Sequence, residues 1–238
     1  MANEGFSMVR AEAGYQKDLD PGSLVTLDLS RKDLSSLPPD LLRLRSLRVL
    51  ILSENALTEL PEEFGQLTEL RTLDLGHNLL QRLPKSFSRL RHLSGYLYLH
   101  DNRLTELEES VFENFTELGY LNLSGNPLRG LPGSIAALGN LEELRIEKLG
   151  LASVPEHFSN LPRLEELSLR DNALHRLPDS FSRLARLSRL DLRGNRFADV
   201  PDVVRQMNLT KLDLRWNPLA SPPGWLGELR ERGARVLL

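Results

Sequence analysis

The apolar positions of this chain follow one template along most of its length. Leu-x-x-Leu-x-Leu-x-x-Asn-x-Leu begins at Leu47, with Leu50, Leu52, Asn55 and Leu57, and returns in register from Leu70, Leu118, Leu164, Leu187 and Leu209. Three more copies deviate. The copy from Leu24 has Lys32 at the Asn position. The fourth carries an extra residue before Leu97, Leu99 and Asn102, and the sixth, from Leu141, has Leu149 in place of Asn. Most steps are 23 residues, and the last, from Leu187 to Leu209, is 22. Between the copies runs a second pattern, Leu-Pro-x-x-Phe-x-x-Leu, as at Leu60, Pro61, Phe64 and Leu67; Ile135 and Val204 substitute for Phe.

Spacing dictates geometry. In x-Leu-x-Leu-x the leucines alternate, so both point to one side of a short strand and their neighbours to the other. One such coil cannot bury its leucines alone, whereas stacked coils cover one another and form a continuous core beside a parallel sheet. The Asn amide is placed to satisfy backbone groups in the turn after each strand. The Pro-x-x-Phe stretch suits the first turn of a short 3-10 or α segment on the convex side. The prediction is an α/β solenoid of about nine repeats over residues 24–219. An N-terminal cap is expected at 1–23 and a C-terminal cap at 220–238. The latter contains a short helix from Gly224 to Arg232 with Trp225, Leu226 and Leu229 on the last coil, and Gly233 stops it. The tail from Arg235 is a candidate for a final extended segment. Leu149 is read as a local apolar repacking of its turn. For the extra residue near Gly95, a bulge that pushes Tyr96 outward and an uneventful insertion both stay open.

The nine-fold motif resembles the leucine-rich repeat superfamily across nearly the whole chain. Its Leu-Pro-x-x-Phe/Ile-x-x-Leu flank is similar to intracellular members: plant Ras-group proteins, animal Ras-pathway scaffolds and many bacterial proteins. The resemblance implies a horseshoe with a parallel sheet on its concave face and a role as a protein-binding scaffold or adaptor. It also suggests a signalling protein such as a small GTPase as one kind of partner. The Pro-Pro-x-Trp-Leu ending leans toward the bacterial type.

Composition narrows the function classes. The formal net charge is -3, which disfavours nucleic acid and anionic membrane surfaces as partners. There is no cysteine, so disulfides, thiolate metal sites and a cysteine nucleophile are excluded. Residues 1–20 hold no signal-like apolar run, and no stretch approaches the roughly 20 residues of a membrane span. A monomeric cytoplasmic protein is expected, and the glycosylation-like triplets at Asn114, Asn122 and Asn208 are read as chance. A secreted or translocated bacterial binder of the effector type is the alternative. An enzyme with a histidine-based site is a more distant one. None of His77, His92, His100, His157 and His175 has metal-ligand spacing, and no phosphate loop or nucleophile elbow is present. His77 and His100 fall on adjacent coils with Asp74 and Asp101 near, but neither a metal, a cofactor nor a catalytic residue is expected.

Candidate binding residues are the strand positions facing away from the core. Tyr96, Tyr98 and Tyr120, three of the four tyrosines, fall on two neighbouring strands beside His100 and Asn122, and Arg145 follows on the next. All are expected to be exposed on the concave face. Tyrosine presents apolar area and a polar tip at little entropic cost, which suits an interface, although it also simply suits strands. A second feature is an arginine row, Arg170, Arg193 and Arg215, flanked by Asp191, Asp213 and Trp216. An ion-pair lattice within the sheet is the favoured explanation of that row, and a binding surface the other.

Overall fold

The computed structural model describes residues 24–238; the expected N-terminal cap at 1–23 lies outside the described residues. Each x-Leu-x segment forms a three-residue strand whose middle leucine is buried. They are β1 (Thr26–Asp28), β2 (Val49–Ile51), β3 (Thr72–Asp74), β4 (Tyr96–Tyr98), β5 (Tyr120–Asn122), β6 (Glu143–Arg145), β7 (Glu166–Ser168), β8 (Arg189–Asp191) and β9 (Lys211–Asp213). A tenth strand, β10 (Arg235–Leu237), comes from the C-terminal tail. All ten lie in one parallel sheet in sequence order. The register is that of the repeat: Leu27, Leu50, Leu73, Leu97, Leu121, Leu144, Leu167, Leu190 and Leu212 stand side by side. The architecture is the open leucine-rich solenoid that the period predicts.

The returning segments close the core. Seven five-residue 3-10 turns, from Pro39–Arg43 to Asp202–Gln206, follow the prolines. In most, the leucine after the turn donates its N–H to the carbonyl of the Phe position, as Leu67 does to Phe64. Phe64, Phe87, Phe115, Phe158 and Phe181 are fully buried; the Phe64 and Phe87 rings stack at 6.3 Å, and Phe115 meets Phe87 at a tilt at 6.0 Å. Burying each such ring contributes roughly 1.5–3 kcal/mol. The coil between β4 and β5 lacks the Leu-Pro start. It packs Phe112 and Phe115 through turns instead, with Phe115 N–H bonded to Phe112 O.

Asparagine rungs join the coils. Asn78, Asn102 and Asn126 each donate to a carbonyl of the preceding coil and one of their own, and each accepts a backbone N–H through Oδ1. At Leu149 the rung is missing. Its side chain turns into the core, while its own N–H bonds to Asn172 Oδ1 at 3.1 Å. The turn therefore persists, repacked with an apolar side chain. The extra residue of the fourth copy is absorbed just before β4. Ser94 and Gly95 both donate to Arg71 O, and paired register begins only at Leu73–Leu97. Gly95 lies where a Cβ would press on the Thr72 hydroxyl. The doubled residue is a bulge, and Tyr96 emerges beyond it, half of its surface in solvent.

The C-terminal helix α1 (Leu226–Glu231) is shorter than the predicted Gly224–Arg232. Leu226 and Leu229 are buried and Trp225 packs partly against the core. Gly233, at φ 91, reverses the chain so that Ala234 N–H reaches Leu229 O. The tail then pairs with β9 and covers the last sheet edge. Among the described residues no helix is long and apolar enough to cross a membrane.

Candidate functional site

The strand residues between the leucines form the open face of the sheet, opposite the core. On β4 and β5, Tyr96 pairs in register with Tyr120, and Tyr98 with Asn122. The rings meet one another: Tyr96–Tyr98 centroids are 6.0 Å apart, Tyr96–Tyr120 5.5 Å and Tyr98–Tyr120 4.9 Å. His100 extends the cluster, 5.8 Å from Tyr98. Strand alternation predicts these residues on one face, and they are. Full exposure is the part of the expectation that fails. Tyr96 is 51% exposed, but Tyr98 and Tyr120 are half-buried, because each ring covers its neighbours. Burial pushes the Tyr98 hydroxyl above its ordinary pKa, with the Asp74 charge adding to the effect. For Tyr120, burial lifts it to about 12. Both phenols stay protonated near neutrality, and the Tyr120 hydroxyl shares a hydrogen bond with Asn122.

Acidic groups border the patch at the start of the strands. A shallow groove of about 420 Å³ runs beside Tyr96 and Tyr120. Glu117, Glu142, Glu143, Glu165 and Glu166 line it against two arginines, Arg163 and Arg189. Two of these glutamates are already matched: Glu143 accepts from Arg145 Nε at 2.6 Å and Glu166 from Arg189 Nε at 2.5 Å. The acidic column was overlooked in the sequence because Glu117, Glu142 and Glu165 lie before the strands, outside the positions read for binding; Glu143 and Glu166 share the strand-first position of Tyr96 and Tyr120 but do not form a column without them.

Of the arginine row, Arg193 and Arg215 are engaged within the sheet. Arg215 Nη2 bonds Asp213 at 2.8 Å, and Arg193 grips Asp191 and stands 3.6 Å from Asp213. Asp213 is fully buried. Burial alone would raise its carboxyl, but the hydrogen bonds from Arg215 and the charges of Arg215 and Arg193 outweigh this and hold it below the usual range. Arg170 turns instead to its chain neighbour Asp171, at 3.0 Å. Trp216 stands in the turn just past β9, 66% exposed, with Arg215 and Arg193 over its ring at 5.4 and 5.7 Å. Its φ of 64 is uncommon for a bulky side chain.

One further cluster lies past the ends of β3 and β4. His77 and Asp101 occupy left-handed turn positions, φ 52 and 51, on successive coils. His77 Nδ1 lies 3.6 Å from Asp101 Oδ2, and the His77 and His100 rings meet edge-on at 4.8 Å. The His100 ring rests on Gly76, where any Cβ would collide with it, and its Nδ1 is buried without a hydrogen-bond partner. Burial, then the neighbouring His77, lowers its pKa, so the ring is neutral near pH 7. Asp74, which the sequence placed nearby, is occupied in accepting the Gly76 N–H at 2.9 Å.

The comparisons agree with this geometry. The model for "leucine-rich repeat region" matches residues 23–146, and two further leucine-rich repeat models match 154–197 and 208–229. No curated protein sequence matches the chain. Among solved structures, a leucine-rich repeat protein of Leptospira interrogans shares 28% identity at a TM-score of 0.73, covering 93% of this chain and 69% of its own. The ectodomain of the Arabidopsis thaliana receptor kinase GASSHO1/SCHENGEN3, solved in complex with Casparian strip integrity factor 2, shares 31% identity at a TM-score of 0.74. That match covers 87% of this chain but only 26% of the ectodomain chain. A TDR receptor, at 24% identity and a TM-score of 0.66, shares the fold; the match covers 91% of this chain and 43% of the receptor chain. Repeat period, sheet register and family model coincide over more than half of the sequence, and the chain belongs to the leucine-rich repeat family, whose members commonly serve as protein-interaction scaffolds.

Proposed function

We propose that this chain is a non-enzymatic scaffold that binds a protein partner on the open, concave face of its sheet, centred on Tyr96, Tyr98 and Tyr120. The observation that carries the reading is the tyrosine cluster itself. Three mutually packed rings lie on a solvent-facing sheet, the foremost half exposed, and a clustered aromatic patch on a protein surface marks a contact site. Pre-packing of the rings means that little side-chain freedom is lost on docking. The glutamate-rich groove beside them favours a partner that places basic side chains next to its apolar anchor. The Arabidopsis neighbour, solved with its factor bound, is a precedent for ligand recognition by this architecture. We place the protein in the cytoplasm, acting as a monomer. The Leptospira neighbour supports a bacterial type of repeat and keeps a translocated binder as the second reading, which fractionation of the native protein separates.

Affinity capture with the wild-type chain and a Tyr96/Tyr98/Tyr120 triple alanine variant identifies the partner, and calorimetry then measures single variants. Tyr98→Ala and Tyr120→Ala are each expected to weaken binding by at least about 1 kcal/mol, and up to about 4 if they are hot spots. Thermal melts of the same variants control for the packing they lose, worth about 0.5–1.5 kcal/mol per aromatic pair. Affinity that survives both substitutions would move the site elsewhere.

A further inference from the structure

The tyrosine patch ends at His100, and beyond it lies a group of side chains that protein binding does not explain. A ring nitrogen of His77, one of His100 and a carboxylate oxygen of Asp101 all lie within 4.8 Å of one another. We propose that these three residues form a binding site for a late first-row divalent cation, Zn²⁺ foremost. The ligand set is chemically apt, since imidazole suits Zn, Cu and Ni, and a carboxylate completes a mixed N/O site. Three protein ligands leave a fourth tetrahedral position open to water or to a group on a partner.

The spacing is close to what coordination needs. Ligand bonds of about 2.0–2.1 Å at tetrahedral angles put ligand atoms roughly 3.4 Å apart. His77 Nδ1 and Asp101 Oδ2 already stand at 3.6 Å. His100, whose ligand nitrogen lies within 4.8 Å of the other two, has to close the remaining distance. The surroundings hold the ligands in place. Gly76 leaves the space that the His100 ring fills, and Gly125, on the next coil, does the same for the Asp101 carboxylate. Both glycines sit at the strand-end turns, so the two ligands are held against backbone rather than against mobile side chains. The buried Nδ1 of His100 has no hydrogen-bond partner, a cost that stays unrecovered unless something else engages the ring. An ordinary His–Asp ion pair accounts for His77 and Asp101 but gives the nearby His100 ring nitrogen no part.

The test titrates tag-free full-length protein with ZnCl₂ by calorimetry, with CoCl₂ in parallel to read the visible absorption of His-ligated cobalt. One equivalent is expected to bind with micromolar affinity. His77→Asn and Asp101→Asn suit the left-handed turn positions, and with His100→Ala each is expected to weaken binding by at least about tenfold, the loss that even an outer-shell partner can cause. His92→Ala, at an exposed residue near Glu69 outside the cluster, is expected to bind like wild type. Melting curves in EDTA confirm that each variant is folded. If His100→Ala does not fold, Gly76→Ala displaces the same ring without removing a ligand, and the same tenfold loss is expected. Absence of a saturable one-to-one site overturns the proposal, as does binding that survives His100→Ala or falls equally in His92→Ala.

Discussion

Removing the Asn126 amide tests how the coils are held together. This side chain is 1% exposed. Its Nδ2 donates to Leu99 O at 2.9 Å and to Leu123 O at 2.8 Å, and its Oδ1 accepts the Leu104 N–H at 3.1 Å. Asn126→Ala strips all three, together with a longer bond to Ser124 O at 3.4 Å, a carbonyl that keeps the Asp101 N–H. Leu99 O keeps the Asn102 amide at 3.2 Å, so the groups that lose their side-chain partner are the Leu104 N–H and Leu123 O. Each buried polar group left without a partner costs about 1–3 kcal/mol, which gives an expected loss of roughly 2–6 kcal/mol, centred near 4. The comparison variant is Asn114→Ala, whose side chain is exposed and makes one bond, to Ser88 O at 3.1 Å. It is expected to stay within about 0.5 kcal/mol of wild type. Urea denaturation followed by far-ultraviolet circular dichroism reads both. If Asn126→Ala loses less than about 1 kcal/mol at an unchanged slope, the rungs do not carry the inter-coil energy argued here, and packing of the leucines alone holds the stack. Leu149 is nature's version of the missing rung. Leu149→Asn would regain amide bonds but give up a buried leucine worth about 1.5–3 kcal/mol, so its net effect is expected to be small.

Leu121 and Leu123 are both fully buried in a central coil, so Leu→Ala at either is expected to cost about 2–5 kcal/mol; an unchanged denaturation midpoint would refute the inward register. The Tyr120 hydroxyl has a folded pKa of about 12, above its value of about 10 in an unfolded chain. The folded state therefore holds the proton more tightly, and this contribution to stability is full below pH ~10 and lost as pH rises toward the folded value. In a spectrophotometric titration of the phenols, Tyr120→Phe should remove the latest-ionising component; its persistence would show that Tyr120 is freely solvated. Asp213 has its carboxyl held low, so its contribution is present above pH ~4 and lost as acid protonates it. Arg215→Met is expected to destabilise the protein by about 1–3 kcal/mol at pH 7 through the partner stranded in the core, and an acid midpoint that does not move up would contradict the pairing.

How much of this could be read from the sequence depended on whether the relevant contacts repeat with the coil. Strand positions, the inward leucines and the column that gathers Tyr96, Tyr98 and Tyr120 were legible, because a fixed period converts chain position directly into place on the sheet. The half-burial of Tyr98 and Tyr120 was not, since it depends on how far each ring leans toward its neighbour. The bulge at Gly95 was legible only as a length mismatch. Its outcome lies in the register: Gly95 N–H takes the bond to Arg71 O that the first strand residue makes on other coils, so Tyr96 becomes the extra residue before the Leu73–Leu97 pair. The turn position after each strand was harder still. Arg31, Glu54, His77, Asp101, Lys148, Asp171 and Trp216 all adopt positive φ there, alongside Gly125 and Gly194. Gly125, Gly194 and the aspartates suit this conformation, but Arg31, Glu54, Lys148 and Trp216 do not announce it, because there it is imposed by the coil rather than preferred by the side chain. That imposed turn brings His77 within reach of Asp101, 24 residues further along the chain. The period had already put His77 and His100 on adjacent coils with Asp101 near; the signal it left unused was Gly76, at the position that His100 occupies on the next coil. A glycine in a column of larger side chains marks a space, and here the neighbouring imidazole fills it. In a solenoid, then, the core can be read along the chain, but sites have to be read across it, by comparing equivalent positions on adjacent coils and asking which side chain enters the space another leaves.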